Sequence, residues 1–126
     1  MEILKEIDIP IYNKVLWVAV SNDGKELNGK YKHADEGCDL VFDERFLKFE
    51  AITAKVYEIE SRNFGVLIVF RGLKYMNCRA IAHEASHAAG YLYSYMNEDI
   101  RHSDEPYSYL VGWIADCCWK IKTSKK

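Results

Sequence analysis

Hydrophobic and polar positions keep two different rhythms along the chain, and the change falls near residue 75. Before it, short apolar runs alternate with turn signals. Val15–Val20 is continuously apolar and reads as a buried strand, ended by a turn at Ser21–Gly24. The polar, glycine-flanked stretch from Asn28 to Gly37 reads as a loop, and Leu40–Phe42 as a short strand. Glu50–Glu60 carries β-branched and aromatic residues in partial alternation, and Ser61–Asn63 is a plausible turn into the apolar run Phe64–Phe70. Those two runs predict a β-hairpin. Beyond residue 75 the period becomes helical. Ala82, Ala85, Ala89, Leu92 and Met96 recur at spacings of three and four, which predicts a helix from about Asn77 to about Met96. A second helix is expected from Asp104–Pro106 to about Lys122, with Ser103 or Asp104 as its cap and Leu110, Val111, Trp113, Ile114, Cys117, Cys118 and Ile121 as apolar positions. The expected fold is α+β, a small antiparallel-type sheet in the N-terminal half followed by two packed helices. One domain is expected over residues 1–126, with 1–75 mainly strands and loops and 76–122 the two helices.

Composition removes several function classes. The chain has 126 residues, 49% hydrophobic and 29% charged, which is ordinary for a globular protein and excludes a disordered or low-complexity one. Seventeen Lys+Arg against 19 Asp+Glu leave a net charge of −2, without the basic surplus of a nucleic-acid binder. The one basic cluster, Lys120, Lys122, Lys125 and Lys126, reads as a solubilising end. No apolar run reaches the ~18 residues needed to span a bilayer, so no membrane partner is expected. The charged start Met1–Glu6 does not resemble a signal peptide. Cys38, Cys78, Cys117 and Cys118 form no secreted-type disulfide framework and read as buried or half-buried free thiols. Together these features predict a cytoplasmic protein.

The chemistry concentrates in His83-Glu84-Ala85-Ser86-His87, inside the first predicted helix. Histidines at i and i+4 stand one above the other on a helical face, so both imidazoles can reach one ion at the ~2.0–2.1 Å of a Zn–N bond. Glu84 sits about 100° around the helix from His83. It is out of the ligand plane but placed to take a proton from a metal-held water. This is the HExxH pattern, and small neighbours (Ala80, Ala82, Ala85, Ala88, Ala89, Gly90) allow another helix to come close.

Catalytic zinc sites have three protein ligands and one open position. A histidine at position 93 would extend the pattern to that of the metzincins; Tyr93 stands there, which excludes that class. The downstream candidates are Glu98, Asp99, His102, Asp104 and Glu105. Glu105 opens the second helix and shares a small or polar face with Ser108, Tyr109, Gly112 and Asp116, a face expected to turn inward against the metal. His102 is the rival ligand. For a second donor to a developing oxyanion Tyr109 is favoured over Tyr107, Tyr91, Tyr93 and His102, because it shares the face of Glu105. The run Phe64–Phe70 either lies along the cleft, pairing with an extended peptide, or is a buried central strand.

These residues resemble those of the gluzincin metallopeptidases. The nearest likeness is to short zincin-like proteins of phages and mobile elements, with an HEAxHA helix and a later E-P-x-[AS]-Y-L-x-x-[WY] helix. The matching residues are His83 to Ala88, then Glu105 to Leu110 with Trp113, so the likeness covers about residues 76–121. The resemblance implies that His83, His87 and Glu105 bind Zn²⁺, that Glu84 acts as general base, and that Ser108 packs against the site. It implies a zinc-dependent hydrolase acting on an amide bond of a peptide or protein substrate. The alternative is a non-enzymatic phage or mobile-element interaction module with a structural or vestigial metal site.

Overall fold

The computed structural model describes residues 2–10, 12–97 and 104–124. Its sheet contains β1 (Ile3–Ile9), β2 (Lys14–Val20), β3 (Tyr31–His33), β4 (Ala51–Glu58) and β5 (Phe64–Phe70), in the spatial order β1-β2-β5-β4-β3. Two helices follow, α1 (Cys78–Tyr95) and α2 (Asp104–Ser124). The arrangement is α+β, as the sequence predicts. Three pairings are antiparallel, β4 with β5 forming the expected hairpin, while β2 and β5 run parallel.

The parallel pair occupies the centre, which accounts for the unbroken apolar runs of both strands: a strand covered on both faces has no solvent side to alternate with. On one face Leu16, Val18, Val20, Val66, Ile68 and Phe70 pack beneath α1 and α2. On the other, Trp17, Ala19, Leu67 and Val69 are covered by Leu27, Tyr31, Leu40, Phe42 and Phe46 from the connection between β2 and β4. Because β5 is flanked by β2 and β4, it has no free edge for an added peptide strand, and the expectation that it lines a cleft falls. Gly65 is required by this centre. A Cβ at that position would lie 1.8 Å from the Val15 carbonyl oxygen.

The N-terminus, left unassigned by the sequence, adds a strand, and three local expectations are corrected. The charged N-terminus forms β1, an edge strand whose apolar Ile3 and Ile9 are buried while its Lys and Glu face solvent. The expected loop at Asn28–Gly37 contains β3, and Leu40–Phe42 is not a strand. One isolated bridge joins Lys32 to Asp39, and Leu40 and Phe42 serve as buried plugs against the sheet. Cys38 and Cys78 are exposed, Cys117 is half-buried, and Cys118 is buried.

The helices begin and end close to the expected positions. Asn77 caps α1, its side-chain oxygen accepting the Ala80 N–H at 2.8 Å. The capping role expected of Ser103 or Asp104 falls outside the described residues and side chains. In α2, Leu110, Ile114, Cys118 and Ile121 form the buried stripe that docks the helix on the core. Among the described residues no helix is long and apolar enough to cross a membrane.

Candidate metal centre

Helix α1 lies with Ile81, Ala85, Ala88 and Leu92 against the core. That rotation puts His83 and His87 on the exposed side and Glu84 on the buried side facing β4. The two imidazoles meet at the surface. Their Nε2 atoms are 3.2 Å apart, with ring centroids at 4.7 Å and planes at 82°. Two nitrogens bound to one tetrahedral zinc are separated by about 3.3 Å, so this pair has the spacing of two ligands to a single ion.

Glu84 is 7% exposed, and a carboxylate with so little water needs a donor. Thr53 of β4 supplies it, with Oγ1 2.7 Å from Glu84 Oε1. Beside this pair opens a cleft of about 240 Å³, lined by Lys48, Phe49, Glu50, Ala51, Arg79, Ala80, His83 and Glu84. An Arg79–Glu50 ion pair of 3.3 Å lies at this cleft.

The structure brings His83, His87 and Glu84 into one short stretch of helix but leaves Glu105 apart. Among the described residues the one set of three His, Cys, Asp or Glu donors within 4.8 Å of one another is His33, Glu36 and Cys38. Neither Glu84 nor Glu105 completes such a set with His83 and His87. The stripe of Glu105, Ser108, Tyr109, Gly112 and Asp116 is exposed, not turned inward. The apolar stripe of α2 takes the buried side, and the polar stripe opposite it is left to water. Tyr109 is 75% exposed and borders an apolar groove with Ile9, Pro10, Tyr12, Pro106 and Trp113. Glu98, Asp99 and His102 lie outside the described residues.

The tyrosine that touches the HEASH turn is Tyr107. Its hydroxyl donates to the Ser86 carbonyl at 2.9 Å, and its ring meets Tyr93 edge-on at 5.1 Å. Below, burial pushes the Cys118 thiol up to about 12. Sequence reasoning missed Thr53, which is 31 residues from its partner and carries no motif. It also missed the grouping of His33, Glu36 and Cys38.

Compared with known protein families, curated proteins and solved structures, the chain matches none.

Proposed function

We propose that the chain is a zinc-dependent hydrolase, a metallopeptidase cleaving an amide bond in a peptide or protein substrate. The observation that carries the reading is the 3.2 Å separation of the His83 and His87 Nε2 atoms, with the Glu84 carboxylate on the adjoining face. His83 and His87 would hold the ion, and Glu105 would complete the set through a shift of the first turn of α2 toward α1. When bound, zinc supplies a water acidified toward neutral pH and a positive charge for a developing oxyanion. Thr53 holds one oxygen of Glu84, which leaves the other to take a proton from the attacking water and return it to the leaving amine. Tyr107, through Ser86, steadies the turn that carries His87; Tyr109 would act as oxyanion donor only together with the same movement of α2.

The sheet edge beside the cleft favours an extended substrate. The Glu50 carbonyl accepts from Arg71 on the β5 side, while the Lys55 carbonyl accepts from Ala34 on the other side. By alternation Ala51 and Thr53 turn their N–H and C=O groups outward, where they have no backbone partner among the described residues. An extended peptide could pair there.

One observation favours the second reading, a non-enzymatic module with a vestigial metal site: Glu105 stands apart from the two imidazoles. Metal content and turnover separate the two. Protein purified without added metal should carry zinc, and His83→Ala should lose one equivalent of it. Glu84→Gln should keep the metal and lose about 10²-fold or more of its hydrolysis of an unfolded labelled polypeptide. Zinc at His83 without turnover supports the module. No metal lost on replacing His83 ends the hydrolase reading.

A further inference from the structure

We propose that His33, Glu36 and Cys38 form a second cation site, separate from the HEASH helix, that takes a thiophilic divalent ion with Zn²⁺ foremost. Their donor atoms lie within 4.8 Å of one another, and Glu36 Oε2 is 3.9 Å from both His33 Nδ1 and Cys38 Sγ. Nitrogen, sulfur and oxygen donors around a tetrahedral zinc sit about 3.3–3.5 Å apart. A movement of about half an ångström by Glu36 reaches that spacing to both neighbours, and side-chain rotation of His33 and Cys38 on the exposed turn closes their own separation, which is at most 4.8 Å.

The backbone holds this geometry in place. His33 donates its N–H to the Cys38 carbonyl at 2.8 Å, and Gly37 donates to the His33 carbonyl at 2.9 Å, so His33 and Cys38 face each other across a tight turn. Gly37 takes φ of +74°, a conformation side-chain-bearing residues rarely adopt. The turn is tied to β4 by the Ala34 N–H to the Lys55 carbonyl at 3.0 Å and by a Lys55–Asp35 ion pair of 3.0 Å. The loop's charges are sorted to match. Asp35 pairs with Lys55 and Asp39 with Lys32, whereas Glu36 has no Lys or Arg partner among the described residues and faces His33 and Cys38. Imidazole and thiolate together select zinc-like ions over calcium or magnesium. Three protein ligands on an exposed turn leave one position to water. On binding, the Cys38 thiol proton is released to solvent and a sulfur–metal bond takes its place.

Co²⁺ serves as the probe, because a cobalt–thiolate bond gives a near-ultraviolet charge-transfer band that a histidine–carboxylate site cannot give. Reduced, metal-stripped full-length protein is titrated with Co²⁺. The expected result is a thiolate band that saturates with one equivalent in His83→Ala, where no second site competes, vanishes in Cys38→Ser and persists in the wild type and in Cys78→Ser. His33→Ala and Glu36→Gln should each weaken binding by about tenfold or more, with circular dichroism confirming that these surface variants stay folded. Absence of the band, its survival in Cys38→Ser, or unchanged affinity in both His33→Ala and Glu36→Gln overturns the proposal. The His83→Ala arm keeps this outcome independent of the hydrolase reading.

Discussion

Replacing Thr53 by Val tests whether the buried carboxylate of the HEASH helix depends on β4. The substitution keeps the β-branched shape and removes only the hydroxyl that lies 2.7 Å from Glu84 Oε1. Glu84 is 7% exposed, so water is poorly placed to replace the lost donor. A hydrogen bond to a charged group contributes about 1.5–3 kcal/mol. At this chain length that corresponds to a fall of roughly 5–15 °C in Tm. The assay is urea unfolding of the wild type, Thr53→Val, Glu84→Gln and the double variant, with unchanged m values as the check on two-state behaviour. A Gln amide still accepts from Thr53, but as a neutral acceptor, so in the Glu84→Gln background the cost of Thr53→Val should shrink to about 0.5–1.5 kcal/mol. The difference between the two backgrounds is the charge-assisted part of the interaction. A Thr53→Val cost below about 0.5 kcal/mol, or an equal cost in both backgrounds, would refute the reasoning that β4 holds Glu84 through its charge.

Other consequences are open to similar tests. Tyr95 donates its hydroxyl toward the Val56 and Gly65 carbonyls, each at 2.9 Å, and so joins the end of α1 to the β4–β5 hairpin. Tyr95→Phe should cost about 1–2 kcal/mol and speed amide hydrogen exchange at that end of the hairpin; unchanged exchange there would argue against the tie. Gly65→Ala meets the Val15 carbonyl, not a yielding side chain, and should cost about 3 kcal/mol or more in denaturant unfolding. Burial raises the Cys118 thiol from 9.0 to about 12, so the unfolded chain ionises there first. Its contribution to stability is therefore complete below about pH 9 and is lost as pH climbs toward 12; Cys118→Ala should lack that slope in urea midpoints. In metal-stripped protein a thiol reagent near neutral pH should label Cys38 and Cys78 rapidly and Cys118 only on unfolding, as mass spectrometry of the peptides would read out.

Local periodicity by itself determined the two helices, the β4–β5 hairpin and the buried character of β2 and β5, because each depends on neighbours a few residues away. It also determined that His83 and His87 share a helical face while Glu84 does not, since that follows from about 3.6 residues per turn. Only the tertiary structure decided the parallel pairing of β2 with β5. A continuous apolar run says that both faces are covered, and nothing about which strand lies beside it. β1 was hidden because an edge strand tolerates charge on its open side, and β3 because a short strand can sit inside a polar, glycine-flanked stretch. Thr53 reached Glu84, and Glu36 came to lie between His33 and Cys38, through backbone pairings that no motif records. A polar stripe such as that from Glu105 to Asp116 is compatible with two outcomes, a wall of a polar site, which is the one expected from the sequence, or a face in water. Helix rotation chose the second, because the stripe containing Leu110, Ile114, Cys118 and Ile121 gains more by leaving water than a polar stripe gains by entering the protein.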